Sequence, residues 1–117
     1  MARSPKLSAV FFRTCSAREP VRDWLRSLPK DDRREIGGDI AYVQYKWPLG
    51  KPQVDHIRGN VWEIRSRLVD RIARVLFAVS NDEMVLLHGF IKKTKKTPEA
   101  DIALAERRWK EWKRAER

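Results

Sequence analysis

The strongest constraint on the fold lies in residues 61–91, where three strand-length apolar segments follow one another with connections too short to be anything but hairpins. The segments are VWEIRSRL (61–68), RIARVLFAVS (71–80) and EMVLLHGFI (83–91), separated by two-residue turns at Val69-Asp70 and Asn81-Asp82. Such turns join antiparallel neighbours, so the segments form a meander. The turn at Val69-Asp70 also sets a register, pairing Leu68 with Arg71, Ser66 with Ala73, Ile64 with Val75 and Trp62 with Phe77. In that register one face is nearly all apolar, while the other holds Glu63, Arg65 and Arg67 on one strand and Arg74 beside them. Arg65 and Arg74 face each other directly. Like charges paired across strands are destabilising without an anion between them, so this pair asks for a phosphate or for a carboxylate such as Glu63.

An apolar sheet face must be covered, and the flanking segments supply helices. LSAVFFR (7–13) reads as a first strand. Ser16 is placed to cap a helix whose apolar face is Val21, Trp24, Leu25 and Leu28, ended by Pro29. A second helix from Lys30 carries Ile36, Ile40, Val43 and Trp47 and stops at Pro48. Gly37 and Gly38 weaken it by about 1 kcal/mol each relative to alanine, so close packing of another element is expected there. Residues 48–60 (PLGKPQVDHIRGN) show no periodicity and read as a connecting loop. Thr97 and Pro98 signal the cap and first turn of a last helix, Glu99 and Asp101 suit its positive end, and Ile102, Ala105, Trp109 and Trp112 form its apolar stripe. The expected class is α+β in one domain, residues 1–117: a strand, two helices, a three-stranded antiparallel meander and a C-terminal helix.

Lys and Arg total 26 against 16 Asp and Glu, a net charge of +10, and an imbalance of that size is retained where the partner is a polyanion. Nucleic acid fits this best. No apolar run reaches spanning length and the start, MARSPKLSAV, lacks the apolar stretch of a signal peptide, so a cytoplasmic protein with no membrane partner is expected. One cysteine and two histidines, His56 and His88, leave no metal-ligand spacing, so no metal and no cofactor is expected. Lys92, Lys93, Lys95 and Lys96 either arch over the cationic face or form a solvated loop. His88 alternates with Leu86 and Phe90 and is either a hydrogen-bonded core histidine or a catalytic one. The five tryptophans all fall on packing stripes, which favours core roles over base stacking.

The stretches VWEIRSRLVDRIARVLF and VLLHGFIKKTKKTPEADIALAERR resemble the phage-related HigB-like branch of the RelE toxin superfamily, over residues 58–108. The resemblance implies a RelE-like four-stranded twisted sheet, completed by the N-terminal strand and flanked by helices. It also implies the toxin of a type II toxin–antitoxin system, a ribosome-associated endoribonuclease acting on mRNA, neutralised by a helix-turn-helix antitoxin encoded next door. By position, the arginine of the family's E-(L/I)-R strand is Arg65, that of its R-V-(L/F) strand is Arg74, and its G-F-x-K-K segment is Gly89, Phe90, Lys92 and Lys93. Other branches use a tyrosine or a histidine pair near the scissile phosphate. This chain has no tyrosine after Tyr45, which leaves the general base open.

RNA carries its own nucleophile in the 2′-hydroxyl, so a metal-independent ribonuclease needs a proton acceptor, a proton donor and cations on the phosphorane oxygens. Arg65 and Arg74, both expected on the open face, suit the last role. Lys92 or Lys93, with a pKa lowered by neighbouring cations, or His88, suits proton transfer. Arg67, Arg71, Phe90, Lys95 and Lys96 complete the expected RNA-binding surface, and the expected product is a 2′,3′-cyclic phosphate with a 5′-hydroxyl end. The alternative is a basic RNA- or ribosome-binding module without chemistry. Convergence on one phosphate-sized pocket separates the two. The charged outer side of the last helix (Arg107, Arg108, Lys110, Lys113, Arg114) is either a partner-docking surface or a solvated one.

Overall fold

The computed structural model describes residues 4–93 and 95–116. In chain order the elements are β1 (Ser8–Phe11), α1 (Pro20–Ser27), α2 (Lys30–Lys46), β2 (Val54–Arg58), β3 (Val61–Arg67), β4 (Ile72–Ser80), β5 (Glu83–Lys92) and α3 (Glu99–Ala115). The strands form one mixed sheet in the order β1-β5-β4-β3-β2, with β1 parallel to β5 and every other pair antiparallel. The meander has the register its first turn dictates: Trp62 opposite Phe77, Ile64 opposite Val75, Arg65 opposite Arg74 and Ser66 opposite Ala73. The Leu68 amide donates to the Arg71 carbonyl at 2.8 Å and closes that turn.

The sheet has five strands, not four. Residues 54–58, expected to be loop, form β2 on the free edge of β3, pairing Val54 with Ile64, Asp55 with Glu63 and His56 with Trp62. Gly59, at φ +57°, and Asn60 make the connecting turn. An edge strand needs only one buried side chain to be held, here Val54, so its pattern is too polar to announce a strand.

Both faces of the sheet are covered. On one, Ile64, Ala73, Val75, Phe77 and Leu86 pack beneath α1 and α2 against Val21, Ile36, Ile40 and Val43, with Trp24, Trp47 and Trp62 around them. On the other, Val61, Leu76, Ala78, Val85 and Leu87 lie with Phe12 beneath Ala105, Trp109 and Trp112 of α3. The tryptophans therefore pack as their stripes require. A bulge in β5 pairs Phe77 with Leu86 but Leu76 with His88, leaving Leu87 as an extra residue. Past it the alternation reverses, and His88, Phe90 and Lys92 share the α3 side with Leu76, Arg74 and Ile72.

Three local expectations are corrected. Ser16 caps no helix: α1 starts at Pro20, whose ring fixes the first helical φ, and the Ser16 hydroxyl lies 3.1 Å from that of Thr14. Thr97 does not cap α3, because its hydroxyl is bonded to Glu63 instead. No neighbour packs on Gly37 or Gly38, where a Cβ would meet nothing within 4 Å. The close approach falls at Gly89, where a Cβ would lie 2.3 Å from Trp24 Cε3. Among the described residues no helix is long and apolar enough to cross a membrane.

Gly89→Ala is therefore expected to destabilise the fold by about 1–3 kcal/mol through overpacking against the indole. Gly38→Ala, in open space on a helix, is expected to stabilise it by about 1 kcal/mol. Urea unfolding of the two variants beside the parent chain checks both signs.

Candidate functional site

Where β2, β3 and β4 meet the segment leading into α3, a groove of about 310 Å³ is lined by Asp55, Glu63, Arg65, Arg74, Lys95, Lys96 and Thr97, among others. Period-two alternation puts Glu63 and Arg65 of β3 on this side, and cross-strand pairing brings Arg74 beside Arg65. Lys95–Thr97 then cross over them as a strap. Thr94 lies outside the described residues.

Arg74 is buried, 3% exposed, and so is Glu63 at 1%. The expectation that Arg74 stands on an open face is thus corrected, because α3 and the strap close over it. An arginine in that position requires a counter-charge, since an unpaired buried ion costs several kcal/mol. Glu63 supplies it: one carboxylate oxygen accepts from Arg74 Nη1, and the other accepts from the Thr97 hydroxyl. Arg74 also reaches Thr97 Oγ1 at 3.3 Å and donates from Nη2 to the Lys95 carbonyl at 3.4 Å. The pair thereby ties the strap to the sheet. At the other end of the groove Arg58 of β2 bonds Glu99 (2.6 Å) and Glu106 (2.8 Å) of α3.

Arg65 is half-buried and, among the described residues, has no ion-pair partner, so its guanidinium can take an anion. Lys92, paired with Ile72 on the same side, is also half-buried. Burial holds its amine below the ordinary lysine range, and Arg74, Arg65 and Lys95 push the same way against the opposing pull of Glu63. Lys93, Lys95 and Lys96 are exposed. Lys92, Lys93 and Lys95 border an adjoining hollow of about 330 Å³. Arg67 is exposed beside Arg65 at a further hollow that includes Glu35, Asp39 and Gln53.

The remaining sequence-predicted residues sit elsewhere. His88 Nε2 lies 2.6 Å from Asp101 Oδ1 on α3, and its ring stacks on Phe90 at 5.4 Å. His88 is thus hydrogen-bonded but only part-buried, with a carboxylate partner reached because the bulge turned it toward α3. Phe90 is spent on that stack and on the second core. Arg71 bonds Asp32 and Asp70, which raise its already high pKa. Sequence reading missed Asp55, because it read β2 as loop. The Gly59-Asn60 pair, a two-residue hairpin signal just before β3, marks it.

A model of the family described as phage derived protein Gp49-like (DUF891) matches residues 23–110, a span from α1 into α3 that includes every groove residue named above. No curated protein matches the chain.

Removing the carboxylate in Glu63→Ala strands a buried guanidinium and is expected to cost about 3–5 kcal/mol. Replacing both partners together, Glu63→Leu with Arg74→Met, is expected to recover most of that loss, because no charge is left in the interior. Urea midpoints of the single and double variants measure the difference.

Proposed function

The chain belongs to the phage-derived Gp49-like family, of RelE/Gp49 toxin type, and from that premise we propose that it is a type II toxin of the HigB-like kind that cuts mRNA without a metal. The observation that supports the reading is convergence: an arginine without a carboxylate partner and two strap lysines line one groove, and a lysine of lowered pKa borders the hollow that adjoins it.

In this reading the scissile phosphate lies against Arg65, whose permanently charged planar fork reaches two phosphorane oxygens as negative charge develops on them. The 2′-oxygen attacks phosphorus, the bond to the 5′-oxygen breaks, and a 2′,3′-cyclic phosphate remains. Lys92 delivers a proton to the departing 5′-oxygen, a step favoured by a pKa held below the ordinary lysine range. Arg74, closed beneath the strap, acts at one remove, by its positive potential and by fixing Lys95 and Thr97. Arg67, Lys93, Lys95 and Lys96 hold the flanking phosphates, which need charge and not fixed geometry. The ribosome is the place where mRNA is presented, and a helix-turn-helix antitoxin from the adjacent gene keeps the toxin silent in the cytoplasm.

Arg65→Ala is expected to lower single-turnover cleavage of a ribosome-bound message about 100- to 1,000-fold at an unchanged urea midpoint. Cleavage by the parent chain is expected to continue in excess EDTA with ribosomal integrity checked separately. Full activity of the variant would remove Arg65 from the site, and tight binding without any cutting by the parent would leave a binding module. A second expectation concerns pH: with Lys92 as donor, the rate falls on the alkaline side at a pH below the ordinary lysine range. An alkaline limb at or above that range would exclude it.

A further inference from the structure

The 2′-hydroxyl must lose its proton, and the groove offers few acceptors. Glu63 is 1% exposed with both oxygens bonded, one to Arg74 and one to Thr97. His88 is held by Asp101 away from the groove. His56 shares a register position with Trp62, packs against that ring at 4.6 Å and has Nε2 at 2.8 Å from the Gly59 carbonyl.

Asp55 is different. Its register position opposite Glu63 brings it to the groove side of β2, where it lines the groove and is half-buried. Among the described residues it has no ion-pair partner. Arg65 is its diagonal neighbour across the strands, a separation of about 7–8 Å between backbones. The Arg65 amide bonds the Gln53 carbonyl at 2.9 Å, which locks β2 to β3 at this level. A phosphate on the Arg65 fork thus has a free carboxylate within about one ribose of it. Resting on the nuclease reading above, we infer that Asp55 is the general base of the groove.

The step balances. An Asp55 oxygen takes the 2′ proton, the 2′-oxygen to phosphorus bond forms, the phosphorus to 5′-oxygen bond breaks, and the Lys92 ammonium gives its proton to the 5′-oxygen. The enzyme is left with a carboxylic acid and a neutral amine, and solvent restores both. The charged groups facing Asp55 are Glu63 and Arg65 of β3, Arg74 of β4 and Lys95 and Lys96 of the strap, with Ile102 as the apolar wall from α3.

The test compares the parent, Asp55→Asn and Asp55→Glu in single-turnover cleavage across pH, with affinity measured separately on uncleavable 2′-O-methyl RNA. The expected result is a fall of about 100- to 10,000-fold in Asp55→Asn with affinity kept, loss of the acid limb of its pH–rate profile, and partial rescue in Asp55→Glu. An Asp55→Asn protein that cleaves like the parent, or that loses cleavage only through weaker RNA binding, overturns the assignment while leaving the nuclease reading intact. A parent chain that binds RNA and never cuts it overturns both.

Discussion

The buried ion pair between Glu63 and Arg74 is the interaction on which the organisation of the groove depends. Two adjacent arginines on neighbouring strands, Arg65 and Arg74, cannot both be left uncompensated beneath a helix. Glu63 neutralises the buried one and leaves the other available. Because the same carboxylate also holds Thr97, and Arg74 holds the Lys95 carbonyl, the charge compensation doubles as the anchor of the lysine-bearing strap. Among the described residues Arg74 Nε has no partner, so the buried guanidinium depends on the bonds from its two Nη atoms, and losing Glu63 exposes it to the desolvation cost.

Around that pair the two sheet faces take different tasks. The face under α1 and α2 is a continuous apolar core, tight enough at Gly89 to admit an indole against the backbone. The face under α3 is apolar only in its middle, through Leu76, Ala78, Val85 and Leu87, and turns polar toward the ends of β3 and β4. The groove occupies the place where the strap crosses into the start of α3, with Ile102 as its apolar wall. The bulge at Leu87 contributes by rotating the outer half of β5, which sends His88 to α3 and Lys92 toward the arginines.

The electrostatics follow from this division. Among the described residues, Arg65 and Arg67 of β3 and Lys95 of the strap have no carboxylate partner, while Arg58 and Arg71 are consumed in holding β2 to α3 and α2 to the turn after β3. A chain with a net charge of +10 therefore does not present its charge evenly. Half-burial of Lys92, with Arg74, Arg65 and Lys95 near it, lowers its pKa, so the charge beside the groove is not all of one fixed kind.

Much of this was legible in the residues themselves. Two-residue turns and a side-chain period of two are local rules, so the meander, its register, the juxtaposition of Arg65 with Arg74 and the need for an anion, a phosphate or a carboxylate such as Glu63, could be read directly from residues 61–80. The helical stripes and the packed tryptophans were legible for the same reason. What depended on non-local contacts was not. β2 exists because an exposed edge of β3 was available to pair with a polar segment, so Asp55 reached the groove without any pattern in its own segment. The burial of Arg74 was decided by where α3 docks, far along the chain. The diversion of Thr97 from helix cap to Glu63 followed from that docking, and the single extra residue in β5 turned His88 toward Asp101 of α3. Which side chains share a strand face follows from the order of residues alone, because alternation is a property of the backbone. Which of those faces stay open to solvent, and which charges remain unpaired, follows from the packed fold, because both depend on elements that arrive from elsewhere in the chain.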